Sequence, residues 1–145
     1  MTRHWLAPAL LALMALSGCT GPKPSGHAQA SFEGTLATSV DYDNVGIHLR
    51  PPTAFQAAGT ARSWSDALAT CDTVDAVCPT DRSGTIVLAV VSSPTLQPTL
   101  AYVMTWTGIP CSPAGPEPTS SVCTYLSIVD ANTLAVLTSV SGNHL

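Results

Sequence analysis

Two apolar runs in the second half of the chain most strongly restrict how it can fold. Residues 85–91 read Thr-Ile-Val-Leu-Ala-Val-Val, which is apolar on both faces of an extended chain, as expected of a central strand covered on two sides. In residues 100–107 the large side chains Tyr102, Met104 and Trp106 alternate with smaller ones, so they share one face of a strand. The two runs predict the middle of a β-sheet.

Shorter patterns predict the elements around these strands. Residues 34–40 and 45–49 are expected to be strands joined by a turn, and residues 125–129 and 134–140 a second hairpin. Between them, Ser63 opens a weak capping box, and apolar residues follow at helical spacing, so a helix is expected from Ser63 to Cys71. The fold class is therefore α+β, a small antiparallel sheet with one or two short helices.

The first 18 residues have the parts of a secretory signal. Arg3 supplies a basic start, the apolar run from Trp5 to Leu16 is too short to span a bilayer, and small residues follow it. The order Leu16-Ser17-Gly18-Cys19 resembles the lipobox of bacterial lipoproteins. The resemblance implies cleavage before Cys19, acyl chains on that cysteine, and a location at the extracytoplasmic face of the cell membrane, anchored by lipid.

Residues 19–31 are expected to form a flexible tether, and residues 32–145 a single extracytoplasmic domain. The stretch after Cys19 is rich in proline, glycine and serine and has no large apolar side chain. Removing the signal takes away one arginine and no acidic residue, so the net charge changes from −4 to −5. Without a basic patch to neutralise phosphates, nucleic acid is not an expected partner.

Four cysteines remain in the domain, and export places them in an oxidising environment where disulfides form. Three pairings are possible. The two local ones, Cys71 with Cys78 and Cys111 with Cys123, are preferred because both intervening segments have the composition of loops. The spacing typical of zinc sites or of dithiol enzymes is missing, so neither a metal nor another cofactor is predicted.

The end of the chain resembles the terminal hairpin of PepSY-like domains, small bacterial envelope modules associated with modulating peptidases and with sensing. The resemblance rests on the turn Asp130-Ala-Asn-Thr133 between two apolar strands and on the order of helix and strands from residue 63 onward. The chain departs from that pattern at Leu134, where a glycine is usual, so positive φ is expected at Asn132 instead. The whole chain also resembles small lipoproteins of high-GC Gram-positive bacteria, whose functions are mostly unassigned.

Two groups of residues are candidates for binding. The face that holds Tyr102, Met104 and Trp106 would be a binding patch if no helix covers it. The loop of residues 112–122, stiffened by proline and closed at its base by the predicted Cys111–Cys123 bond, is a candidate recognition loop. The alternatives are that the Tyr102, Met104 and Trp106 face packs in the core, and that the loop is a connector with no binding role.

No catalytic motif stands out, so the first hypothesis is a non-catalytic protein that binds a protein or peptide partner at the cell envelope. His48 is the histidine that lies in a predicted strand, and the second hypothesis is an envelope hydrolase that uses His48 with an aspartate. A third is a carrier of a small molecule or lipid, which requires an apolar cavity.

Overall fold

The computed structural model describes residues 27–73, 78–79, 83–110, 122–142 and 145. Among them the sheet contains seven strands. In chain order the elements are β1 (Gln29–Thr35), β2 (Val40–Tyr42), β3 (Ile47–Arg50), α1 (Ala54–Ala58), α2 (Trp64–Thr73), β4 (Ser83–Ser93), β5 (Leu96–Pro110), β6 (Val122–Asp130) and β7 (Val136–Gly142). A single 3-10 turn, Asp43–Val45, joins β2 to β3. The predicted α+β class is confirmed in its broad form.

The sheet is antiparallel except at β1. Its spatial order is β2-β3-β4-β5-β6-β7, and β1 pairs in parallel with β4. β1 lies along the first half of β4, where Gln29 faces Ser83, while β3 lies along its second half, where His48 faces Ser92. One side of the long strand β4 is thus shared by two short strands, and β5 occupies the whole of its other side.

The strands predicted from residues 85–91, 100–107, 125–129 and 134–140 are confirmed as β4 to β7, and the predicted helix is confirmed as α2. The strand predicted for residues 34–40 is wrong. β1 ends at Thr35 and β2 begins at Val40, because Gly34 has a φ of 95° and the pairing with β4 shifts register there. A glycine in this left-handed conformation interrupts an extended strand.

The sequence patterns did not predict two features, the early start of β1 and the position of the helix α1. β1 begins at Gln29, and Ala28 is already buried, so the ordered chain begins before the predicted boundary at Phe32. Helix α1 has no clear apolar period, but it begins with a complete capping box in which Thr53 and Gln56 bond reciprocally. A capping box satisfies the orphan amides of a helix regardless of its apolar pattern.

Helix α2 covers the first of two apolar clusters. Ala67 and Cys71 on the helix have no exposed surface, and they pack with the large side chains of β4 and β5. Tyr102, Met104 and Trp106 are 4%, 0% and 0% exposed, so the condition for an exposed binding patch is not met and the alternative of core packing applies. They are core, because α2 lies across them and the Tyr102 hydroxyl donates to the Arg62 carbonyl at 2.8 Å.

The second cluster lies on the opposite face of the sheet, where the described chain has no helix. It contains Ile47 from β3, Val91 from β4, Val103 from β5 and Ile128 from β6, with Val140 of β7 packed against it. In a flat sheet, β3 and β7 would be about 19 Å apart at ~4.8 Å per strand. Residues of both strands nevertheless line one cleft, so the sheet curls into a half-barrel whose concave face carries this second cluster.

Of the two predicted local disulfides, the Cys71–Cys78 bond is present, with the Cα atoms 5.5 Å apart. It joins the last full turn of α2 to the segment before β4. Cys123 lies in β6, but Cys111 lies outside the described residues, so the Cys111–Cys123 pairing stays a prediction. No helix in the described ranges is long and apolar enough to cross a membrane.

The turn between β6 and β7 places its positive φ at Leu134, where φ is 62°, and not at the predicted Asn132. The Asp130 carboxylate accepts from the amides of Asn132 and Thr133 at 2.7 and 2.9 Å, and the Leu134 amide bonds to the Asp130 carbonyl at 3.0 Å. These bonds hold the turn, while the Leu134 side chain packs against the first cluster. Packing and turn bonds therefore hold a leucine in a conformation that costs roughly 1–2 kcal/mol.

We expect Leu134→Gly to be more stable than Leu134→Ala by about 1 kcal/mol, the reverse of the usual order. Both variants lose the leucine packing, so the difference between them isolates the cost of positive φ. Urea unfolding would measure it. Ala135→Gly is the matched control, because Ala135 has an ordinary φ and glycine should be less stable there by ~0.5–1 kcal/mol.

Candidate functional site

A cleft of about 400 Å³ opens on the concave face of the half-barrel. It lies where the turn of the β4–β5 hairpin, the start of β3 and the edge strand β7 come together. The residues that line it are Val45, Ile47, Val91, Ser93, Pro94, Thr95, Leu96, Leu137, Thr138 and Val140. Its volume falls in the range of sites that hold small ligands or large side chains.

The lining of this cleft mixes apolar side chains with polar atoms, including the hydroxyl groups of three residues, and it contains no charged residue. The curl of the sheet explains the site, because residues of β3 and β7 that are distant in the sheet order line it together. Val45 is 37% exposed, so apolar surface remains accessible at the mouth. Such a lining favours uncharged groups, either apolar or able to hydrogen-bond with Ser93, Thr95 and Thr138.

A polar cluster lies on the other face of the sheet, at the β2–β3 pair. Asp41 Oδ1 is 2.9 Å from His48 Nδ1 and 2.6 Å from a guanidinium nitrogen of Arg50. All three side chains are roughly two-fifths exposed. Arg50 and then His48 hold the pKa of Asp41 below its ordinary value. Because a carboxylate only accepts, the hydrogen of this histidine bond lies on Nδ1.

The sheet register brings a serine beside this histidine. Asp41 faces His48 across β2 and β3, and His48 faces Ser92 across β3 and β4. Directly opposed residues project to the same face with Cβ atoms ~4.5–5.5 Å apart. An aspartate on Nδ1 leaves Nε2 of His48 available toward a hydroxyl, which is the order of groups that activates a serine.

A second polar cluster holds the beginning of the described chain. Asp72, near the end of α2, accepts from the Ala28 amide at 2.9 Å and lies 2.8 Å from His27 Nδ1. The Ala28 amide first, and then His27, lower the pKa of Asp72 from its ordinary value. This clamp places the start of β1 beside the Cys71–Cys78 bond.

We expect acid to release this clamp. A lowered pKa means that the ionised Asp72 stabilises the fold above its ordinary pKa of ~4, and that this contribution is lost as the pH falls through the lowered value. Asp72→Asn should therefore lower stability by about 1 kcal/mol at pH 7 and by less at pH 3. Hydrogen exchange of the Ala28 amide would measure it, and an equal effect at both pH values would contradict the clamp.

The predicted site residues have different outcomes. Cys19 and most of the candidate loop 112–122 lie outside the described residues; the described residue of that loop, Val122, begins β6 and is 62% exposed. Tyr102, Met104 and Trp106 are buried under α2. His48 does lie beside an aspartate, Asp41, as the second hypothesis requires. In the described part of the chain, no three histidine, cysteine or acidic side chains form a possible metal site.

Sequence reasoning missed the cleft. Residues 92–98 lie between the two strands predicted from residues 85–91 and 100–107. In the structure they form the tight end of the β4–β5 hairpin and supply four of the lining residues. The run from Val136 to Gly142 has no charge and no proline, so it lacks the features that protect an edge strand, but only the sheet order shows that it lies at an edge. The curl that brings this strand to β3 has no local sequence pattern.

Comparisons of the chain with protein-family models, with curated proteins and with solved structures find no match. The PepSY-like resemblance of residues 63–140 stays a prediction.

Proposed function

We propose that this chain is a lipoprotein, anchored through Cys19 at the extracytoplasmic face of the cell membrane, whose domain has a non-catalytic role and binds a polypeptide partner in the cleft. The main support for this binding role is the uncharged cleft of about 400 Å³ on the concave face. Uncharged clefts of this size that combine apolar side chains with a few hydroxyl groups are a common form of binding site. The lipobox-like residues before Cys19 support the anchor.

The position of the tether supports a partner outside the bilayer. The chain enters the fold at the Asp72 clamp, beside the start of β4, whereas the cleft opens at the hairpin turn after Ser93. These two ends of β4 are about 33 Å apart at ~3.3 Å per residue. From Cys19 to His27 the tether reaches at most ~29 Å, so it would hold the clamped end near the membrane and leave the hairpin end away from it.

Photocrosslinking would test the polypeptide partner. Benzoylphenylalanine in place of Thr95 lies at the cleft, and the same residue in place of Ala69 lies on the exposed side of α2 as a matched control. In intact cells we expect Thr95 to give a discrete protein adduct that the Ala69 position lacks. If the only change at Thr95 is a lipid-sized increase in mass, the carrier hypothesis is favoured. Equal protein adducts at both positions would contradict binding of the partner in the cleft.

The anchor has its own test. We expect Cys19→Ala to move the protein from the membrane fraction to the soluble fraction and to remove the acyl mass from its N-terminal peptide. The reason is that each buried methylene of an acyl chain contributes roughly 0.8 kcal/mol to membrane binding. Membrane retention of the variant with an unchanged mass would contradict the proposed lipidation.

A second candidate function is hydrolysis at the row Asp41, His48 and Ser92, which the 2.9 Å Asp41–His48 contact favours. Ser92 would be the nucleophile and His48 its base. A fluorophosphonate probe should then label Ser92 in the parent protein and not in a folded His48→Ala variant. Failure to label Ser92 in the parent would eliminate this candidate.

A further inference from the structure

The edge strand β7 has an open side. Among the described residues it pairs only with β6, from Thr124 opposite Gly142 to Val129 opposite Val136. The backbone N–H and C=O groups that alternate along its other side therefore have no strand partner in the described sheet. Backbone groups of this kind form a template for another extended chain.

The other free edges are protected in ways that β7 is not. β2 has only three residues and carries Asp41, which is paired with Arg50 and His48. β1 is broken by the register shift around Gly34 and carries Glu33. Short length, charge and irregularity all discourage strand pairing. β7 has seven residues with no charge and no proline, and its one irregularity lies near its start.

The cleft lies beside this open edge. Leu137, Thr138 and Val140 of β7 form one wall, and Ile47 and Val91 belong to the opposite wall. A strand added to β7 would extend the curl toward β3, and every second side chain would project over the concave face. Because the lining has no charge to pair with a buried ion, charged side chains are unfavourable there, and the apolar walls formed by Ile47, Val91 and β7 favour apolar ones.

Neither the tether nor a second copy fits this description. Residues 20–26 contain no large apolar side chain, and the tether joins the fold at the end of β4 opposite the hairpin. A second copy pairing through its own β7 would present Leu137, Thr138 and Val140, of which only Leu137 is large, to a cleft of about 400 Å³. A separate chain with several large apolar side chains fits the cleft better.

We propose that an extended segment of the partner polypeptide adds to β7 as a further strand and places alternate apolar side chains in the cleft. The inference rests on the proposed function and specifies its mode of recognition. Backbone bonds along β7 supply affinity, and the uncharged cleft selects leucine-sized side chains at every second position.

N-methylated peptides would test the strand. The probe is an acetylated heptapeptide with leucine at positions 2, 4 and 6 and serine or lysine between them. Successive amides of a strand point to opposite edges, so N-methylation of the odd positions and of the even positions block different edges. We expect one methylated form to bind at least tenfold more weakly than the parent peptide by fluorescence polarisation, and the other to bind as the parent does.

Two tryptophan variants locate the same site on the protein. Thr138→Trp fills the cleft and should abolish peptide binding, while Ala69→Trp, on the exposed side of α2 and away from β7, should leave it unchanged. Thermal melting of both variants checks that each is folded. Equal peptide binding by the two folded variants would place the peptide outside the cleft and overturn the inference.

The other possible results distinguish strand addition to β7 from binding in the cleft by another mode. Equal binding of both methylated peptides, with loss only in Thr138→Trp, would overturn strand addition and leave cleft binding in place. A dimer that Thr138→Trp disrupts and the peptide does not would assign the edge to a second copy. No peptide binding, together with no protein adduct at Thr95, would overturn the inference and the proposed function.

Discussion

Gly84→Ala is expected to lower the free energy of unfolding by about 3 kcal/mol, the largest effect of a single added methyl group that we predict. A Cβ at position 84 would lie 2.6 Å from Nε1 of Trp106 and 2.8 Å from the Thr105 carbonyl oxygen. Gly84 faces Trp106 directly across β4 and β5, and Trp106 is fully buried. The indole ring lies over the glycine because no side chain occupies that space.

The measurement is urea unfolding of the parent, Gly84→Ala and the control Gly59→Ala. Gly59 has an ordinary φ, and its nearest neighbour to an added Cβ is at 3.4 Å, so alanine should change stability there by less than ~0.5 kcal/mol. In a Trp106→Leu background, Gly84→Ala should cost less, because the indole is gone and only the Thr105 contact remains. An unreduced cost in that background would show that the indole does not cause the effect.

Loss of the Cys71–Cys78 bond is expected to cost about 2.5 kcal/mol. This is the chain entropy regained by the unfolded state when a loop of about eight residues is released. The double variant Cys71→Ala, Cys78→Ala removes both thiols, and thermal unfolding measures the change. A reducing agent should lower the melting temperature of the parent by a similar amount.

The double variant also tests what the bond does for the start of β1. Ala28 packs with Cys71 and Cys78 in the first cluster, and Asp72 follows Cys71 directly. We therefore expect faster hydrogen exchange at the Ala28 amide in the double variant, while the central pair β4 and β5 keeps its protection. Unchanged exchange at Ala28 would show that α2 holds the clamp without the disulfide.

Local patterns predicted most of the secondary structure because the deciding signal was itself local. The apolar run 85–91 and the alternation in 100–107 identify β4 and β5 correctly, down to which face carries Trp106. The same patterns could not say that α2 covers that face. Burial depends on where a helix packs, which is set by contacts between residues far apart in the chain.

At the turn near Leu134, a local residue preference predicts the wrong position for the positive φ. Residue preference predicts positive φ at Asn132, since asparagine tolerates that conformation better than leucine does. The structure places it at Leu134, because the Asp130 carboxylate holds the amides of Asn132 and Thr133 and the leucine side chain packs against the first cluster. Tertiary contacts here outweigh the roughly 1–2 kcal/mol that the left-handed conformation costs an ordinary residue.

The sequence by itself determined the strands β4 to β7 and the helix α2, since each depends on periodicity, and it favoured the local pairing of Cys71 with Cys78, which the structure contains. Only the tertiary structure decided that Tyr102, Met104 and Trp106 are core and that β3 and β7 meet across a cleft. The physical reason is that side-chain period sets which face of a strand is apolar, while the curl of the whole sheet sets which apolar face stays open.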